Sequence, residues 1–273
     1  MIPLISIPRP WIGAVTAVVV LGLGACGAEK AEFKSRPVET LYNEAMDALV
    51  EGDLNISTEK FDEVERQHPY SRWATKAQLM AAYSYYQHNA YDDAVVAIDR
   101  FVALHPSNRD VPYAYYLKSL SYYEQISDVG RDQQMTRLAL KSMQDLVTRF
   151  PESKYARDAE IKIDLTRDHL AGKEMEIGRY YETQGRYLAA INRFKVELED
   201  YQTTTHVPEA LHRLTESYQA IGLVDEARKT AAILGYNFPG NQWYTDSFEI
   251  VEGGEKEKPA ATPEEAKPWY WPF

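Results

Sequence analysis

Cysteine is nearly missing from this chain: one residue in 273, Cys26. A single thiol excludes an intramolecular disulfide framework and any CxxC-type metal or redox site. Positive charge is short as well, with 30 Lys and Arg against 41 Asp and Glu and a formal net charge of −11. Such a chain has no electrostatic footprint for nucleic acid, and no basic run offers a second hold on a membrane surface. The apolar stretch from Trp11 to Ala25 is fifteen residues, short of the roughly twenty that a spanning helix needs. Absent too are HExxH, GxSxG, a P-loop and a dinucleotide fingerprint, so the sequence argues for no catalytic class that those motifs mark. Of six histidines, His68 and His105 each stand just before the proline of a separate turn, which argues against a shared metal.

The position of the lone cysteine is informative. By itself it fits a nucleophile or a small buried residue. In front of it, however, lies a short apolar core that follows Arg9 and closes on small residues, the outline of a secretory signal. Leu23-Gly24-Ala25-Cys26 resembles the bacterial lipobox. That resemblance implies cleavage before Cys26, a diacylglycerol on its thiol and an acyl group on the new amine, and no other cofactor. It makes Cys26 a tether, with an uncleaved anchor as the competing reading. Stable anchoring needs about two signals, which several acyl chains supply. Gly27 is not the Asp that commonly retains such proteins at the inner membrane, so the expectation is the outer membrane, periplasmic face. The signal is assigned to 1–25 and a linker to 26–36.

The body is repetitive, and repeats organise a chain before anything else does. RQHPYSRWATKA, ALHPSNRDVPYA and RFPESKYARDAE each pair a proline with an alanine eight residues on: Pro69 and Ala77, Pro106 and Ala114, Pro151 and Ala159. Gln202 with Ala210 and Pro239 with Ser247 continue the frame. Twelve residues before the proline slot come Ser57, Ala94, Ala139, Ala190 and Ala227, all small. Eight before it come Phe61, Ile98, Met143, Phe194 and Ala231, all apolar. Seventeen before it come Gly52, Asn89, Gln134, Gly185 and Gly222, mostly residues suited to a left-handed helix end.

Within a copy the period is helical: Ala139, Met143, Leu146, Val147 and Phe150 form one face. Each unit reads as helix, turn, helix and a proline-marked turn. Such units cannot bury a core alone, so they stack. The fold expected is all-α, an α-solenoid of five repeats over 37–251. The small-then-aromatic order and terminal proline resemble the tetratricopeptide repeat. The spacings here are 37, 45, 51 and 37 residues. The excess falls at Gln125–Gln134 and in a long helical run from Ala156 to Gly185.

A lipobox followed by such repeats resembles the BamD (ComL) family, lipoproteins of the outer-membrane β-barrel assembly machine. The likeness runs from Pro37 to about Tyr244, and is carried by YDDAVVAIDRFVALHP, GRDQQMTRLALKSMQDLVTRFPESKYARDA and YYETQGRYLAAINRF. It implies a scaffold rather than an enzyme. Its partners would be a POTRA domain of BamA, other lipoproteins of the machine and nascent outer-membrane β-barrel proteins. Asn192-Arg193 matches the family stretch at the BamA contact, the alternative being a solvated arginine. The competing function is a periplasmic repeat scaffold for cell-wall synthesis or transport.

Twenty tyrosines against 8 Phe and 5 Trp suit amphipathic contact surfaces. Adjacent residues point about 100° apart on a helix. Tyr85 and Tyr122, which share a repeat column, are therefore expected to pack. Tyr86 and Tyr123 are then free for a peptide-binding groove, or simply cover apolar surface. Beyond the repeats, residues 252–268 have the composition of a disordered segment. Trp269–Phe273 adds four aromatics, suited to a linear motif for a partner or to packing back on the body.

Overall fold

The computed structural model describes residues 35–253. Cys26, the leader and the segment from 254 onward lie outside the described residues, so the expectations placed on them stand as they were. Among the described residues eleven helices follow one another from Val38: α1 Val38–Glu51, α2 Leu54–Gln67, α3 Arg72–Gln87, α4 Tyr91–Leu104, α5 Val111–Tyr123, α6 Gln134–Arg149, α7 Ala156–Thr183, α8 Tyr187–Asp200, α9 Val207–Ala220, α10 Val224–Asn237 and α11 Gln242–Glu252. They form five antiparallel pairs and one closing helix, an α-solenoid.

The repeat columns are the core. Ser57, Ala94, Ala139, Ala190 and Ala227 are all 0% exposed, and so are Ala77, Ala114, Ala159, Ala210 and Ser247. Small side chains there let helix axes approach. The large apolar column fills the gap: Phe61, Ile98, Met143 and Phe194 are fully buried, each contributing about 1.5–3 kcal/mol by leaving water. The clusters join neighbours rather than repeats. Phe61 and Val64 of α2 pack with Ala77 and Ala81 of α3, and Met143 and Leu146 of α6 with Ala159 and Ile163 of α7. Phe194 of α8 meets Ala210 and Leu214 of α9 in the same way. No pair is complete without the next, which is the physical reason the units stack.

Turns obey the frame with one exception. Gly52, Asn89, Gly185 and Gly222 take positive φ between their helices, a conformation that costs Gly nothing and Asn little. Gln134 does not: it is the first residue of α6. The third repeat lacks the tight turn because residues 124–133 form a longer loop. Polar bonds hold that loop. Gln133, 4% exposed, donates through Nε2 to the carbonyls of Asp128, Val129 and Arg131. From α7, Lys173 Nζ donates to the Gly130 carbonyl at 2.9 Å. The fourth repeat spends its excess differently, as a 28-residue α7, about 42 Å long. Its first half packs on α6, and its second half on α8 through Met175 and Gly178.

A further column was not legible beforehand. Fifteen residues after the proline slot stand Ser84, Ser121, Thr166 and Ser217, all at 0 or 1% exposure. Three bond back to a carbonyl four residues earlier, Met80, Leu117 and Lys162, and Ser217 donates to Glu182. A hydroxyl satisfied by its own helix is as compact as alanine and can face a close neighbour.

Candidate protein-binding site

First helices touch one another across repeats: α1 with α3, α3 with α5, α7 with α9 and α9 with α11. Among the described residues no two second helices make comparable contact. That asymmetry puts the first helices on the inner wall of the stack. A polar link accompanies each step from α3 onward. Tyr86 of α3 donates its hydroxyl to Glu124, just past α5, at 3.3 Å. Tyr116 of α5 donates to Asp158 of α7 at 2.6 Å. Arg179 of α7 donates to both oxygens of Glu209 of α9 at 3.0 and 3.1 Å. His212 of α9 and Ser247 of α11 lie 2.9 Å apart, nitrogen to oxygen.

The tyrosine expectation is corrected in part. Tyr85 and Tyr122 are only half-buried, because the hydroxyl column beside them takes the inward direction; Tyr218, at the same repeat position sixteen after the proline slot, is buried. Tyr85 lines a cleft of about 360 Å³ with Glu59, Asp62, His88 and Asp93. Burial, then Asp62 and Asp93, raise the pKa of its hydroxyl. Tyr86 is half-buried against the cluster of Leu79, Ile98, Phe101 and Leu117, with the Tyr91 ring at 5.7 Å. Its pKa is pushed up to about 12, first by burial and then by the Glu124 carboxylate. Part of Tyr86 is thus spent on structure.

Tyr123 sits at the margin of the cluster of Met143, Leu146, Ala159 and Ile163, with the Lys162 ammonium 5.9 Å from its ring centre. It opens on a cavity of about 310 Å³ shared with Glu124, Ile126, Leu165, Thr166 and His169. Leu165, 55% exposed, gives that cavity an apolar lip.

Arg193 lies on α8 between Phe194, fully buried, and Asn192, exposed. Its Nη1 donates to Glu174 of α7 at 3.0 Å, and its side chain is 41% exposed. The pair holds the guanidinium at the edge of the packed face, a planar fork suited to a second carboxylate. Tyr86 and Tyr123 belong to the second and third repeats, whereas Asn192 and Arg193 belong to the fourth. The candidates therefore form two regions, not one site.

Two features apart from Arg193 carry no sequence signal of their own kind. Arg213 of α9 is surrounded by Glu216 at 2.7 Å, Glu209 at 3.5 Å and Glu182 at 3.6 Å, with Trp243 beneath it. Burial alone would lower its pKa, but the three carboxylates outweigh that and raise it. Glu197 of α8 is 0% exposed, five before the proline slot, where other repeats carry Val64, Phe101, Leu146 and Leu234. One of its oxygens accepts from Thr204, and the other is buried with no hydrogen-bond partner. The column itself was the signal, since a carboxylate interrupts four apolar residues.

Comparison with known proteins agrees with this architecture. The family model YfiO, described as outer membrane lipoprotein, matches residues 34–233. A protein of Caulobacter vibrioides named outer membrane protein assembly factor BamD is 46% identical over 247 residues, 89% of this chain and 81% of that protein. Its namesake in Rickettsia prowazekii is 46% identical over 241 residues, 87% of this chain and 96% of that one. The Neisseria meningitidis protein of the same name is 34% identical over 251 residues, covering 86% and 94%.

Proposed function

The chain belongs to the BamD family of outer-membrane protein assembly factors, and from that premise we propose a division of labour along its stack. Repeats four and five dock on a POTRA domain of BamA, with Arg193 and Asn192 at the contact. Repeats two and three receive nascent β-barrel proteins, with the Tyr86 edge and the Tyr123 cavity as the receiving surface. The role is that of a scaffold without catalysis. Other lipoproteins of the machine complete the set of partners.

The observation that carries this reading is the setting of Arg193. Glu174 pre-orients it, Phe194 anchors the helix beneath it, and exposed Asn192 leaves the approach open. Arginine so held loses little freedom on meeting a partner carboxylate, which is the profile of a binding hot spot.

Acyl groups on Cys26 hold the chain at the periplasmic face of the outer membrane. Cys26→Ala should leave the precursor unprocessed and misplaced while its repeats still fold; normal processing and outer-membrane fractionation would refute the tether. The wider test is a pull-down from outer membranes through a tagged chain, read by mass spectrometry. BamA as dominant partner is expected, and a cell-wall synthase in its place would overturn the reading.

A further inference from the structure

Among the described residues the last helix, α11, is a first helix with no second helix packed on it. In repeats two, three and five, the residue nine after the proline slot reaches the end of its own repeat's second helix. Gln78 meets His105 at 2.8 Å, the Tyr115 ring meets Phe150 edge-on at 5.4 Å, and Leu211 packs with Leu234. In α11 that position is Phe248, and it is 51% exposed. Other residues of the helix are already turned back on repeat five. Ser247 is fully buried, Val251 packs on the Ala210–Leu214 cluster, and the Tyr244 ring sits against Gly235. Among the described residues the ring neighbour of Phe248 is Tyr244, one turn away at 6.2 Å. The terminal unit of a solenoid ordinarily turns a polar face outward. This one turns a phenylalanine toward the place where a sixth repeat's second helix would lie.

The sequence beyond Gly253 puts prolines at 259, 263, 268 and 272. It also carries Trp269, Tyr270, Trp271 and Phe273. We propose that this aromatic segment of the same chain covers the Phe248 edge and closes the open end of the solenoid. The connection is long enough. Fifteen residues separate Gly253 from Trp269, a reach of up to ~50 Å. Phe248 lies only about 7.5 Å from Gly253 along the helix. Aromatic rings favour offset or edge-on partners, and Phe248 with Tyr244 presents such a pair. Tethering raises the local concentration of the segment to roughly millimolar, so a modest contact suffices.

The test uses the full chain from residue 26 with Cys26→Ser. Phe248→Cys is combined with Trp269→Cys and compared under mild oxidation with the tether-matched pair Thr245→Cys and Trp269→Cys, Thr245 being exposed on the same helix. An intramolecular disulfide forming at least ~10-fold faster in the first pair is expected. Equal rates, or a disulfide found only between two chains, would overturn the proposal, the latter making a second copy the occupant. A second measurement leaves the body untouched. Trp269→Phe with Trp271→Phe should remove a blue-shifted emission component shielded from acrylamide. Loss of a component with the emission and quenching of free indole in water would equally overturn it.

Discussion

Gly178 and Phe194 occupy one space: a methyl group built on Gly178 would lie 2.3 Å from Cε1 of the Phe194 ring. The ring is fully buried, so it cannot swing away into solvent. The closest approach of α7 to α8 is therefore set by the absence of a side chain at 178. This contact fixes where the second half of the long helix leaves the third repeat and joins the fourth.

Gly178→Ala should lower stability even though alanine favours a helix by about 1 kcal/mol over glycine. Overpacking a filled core costs about 1–3 kcal/mol, and a 2.3 Å contact with an immobile ring belongs at the upper end. For a body of this size, that is a melting temperature several degrees lower. Adding Phe194→Leu should recover part of the loss, a coupling that thermal melts of the two single variants and the double variant would reveal. Unchanged melting of Gly178→Ala would show that the helices can separate at no cost.

How much of this was readable beforehand follows from what each column must do. Small residues at Ser57, Ala94, Ala139, Ala190 and Ala227 recur because helix axes must touch, and a touching axis tolerates nothing larger. Period and burial therefore coincide, and the frame found the core. Aromatic residues obey no such limit. Tyr85 and Tyr122 can satisfy a repeat column while lying at its rim, because a tyrosine is stable with one edge wet. The hydroxyl column of Ser84, Ser121, Thr166 and Ser217 was missed because a buried serine and a solvent-facing one look alike in sequence. Gln134 shares the register of the turn column, but the ten-residue loop before it removes the turn. The two binding regions are the least legible part, since a partner's surface leaves no period in the chain that meets it.

Ala94→Asp or Ala139→Asp tests the helix-contact column directly. Both alanines are fully buried, and an unpaired carboxylate there costs several kcal/mol. Either variant should melt roughly 10 °C lower. A melt within about a degree of the parent would mean that the columns do not mark the helix contacts.

Glu197 makes stability depend on pH. Burial pushes its carboxyl up to about 7, the Thr204 hydroxyl pulls the other way, and Asp168 and Glu174 add to the rise. The folded state therefore holds the proton more tightly than the unfolded chain, whose value is 4.5. Below about 4.5 both states are protonated and this site's stability is fully present. It is lost as pH rises from there through about 7, because the unfolded state ionises first. Melting temperatures over that window should fall more steeply for the parent than for Glu197→Gln. Glu197→Leu should melt higher than the parent at pH 8, because four other repeats hold an apolar residue at this position. Thr204 would keep its bond to the Tyr201 carbonyl. A pH profile identical in Glu197→Gln and the parent would sink the assignment.

Arg193 carries the partner prediction. The second helix of the fourth repeat spans Tyr187–Asp200, with Ala190 and Phe194 both fully buried. Arg193 stands one residue from Phe194 and three from Ala190, at the rim of that face. Its ion pair with Glu174 is 41% and 21% exposed on its two sides. Half-exposed pairs contribute little to folding, about 0–1 kcal/mol, so Arg193→Ala should melt within a few degrees of the parent. Binding is a different matter. A partner carboxylate would meet a guanidinium already held in place, and truncating such an arginine at an interface can cost 2 kcal/mol or more. Affinity for purified POTRA domains should fall at least ~10-fold, about 1.4 kcal/mol. Arg193→Lys should recover only part of it, since an ammonium keeps the charge without the planar fork. Glu174→Gln separates the two roles: it should leave folding nearly intact and weaken binding less than Arg193→Ala, because the fork loses its orienting partner but not its charge. Calorimetry supplies the affinities and circular dichroism the folding control. If Arg193→Ala binds as tightly as the parent, Arg193 is a solvated surface charge, and the docking surface lies elsewhere on repeats four and five.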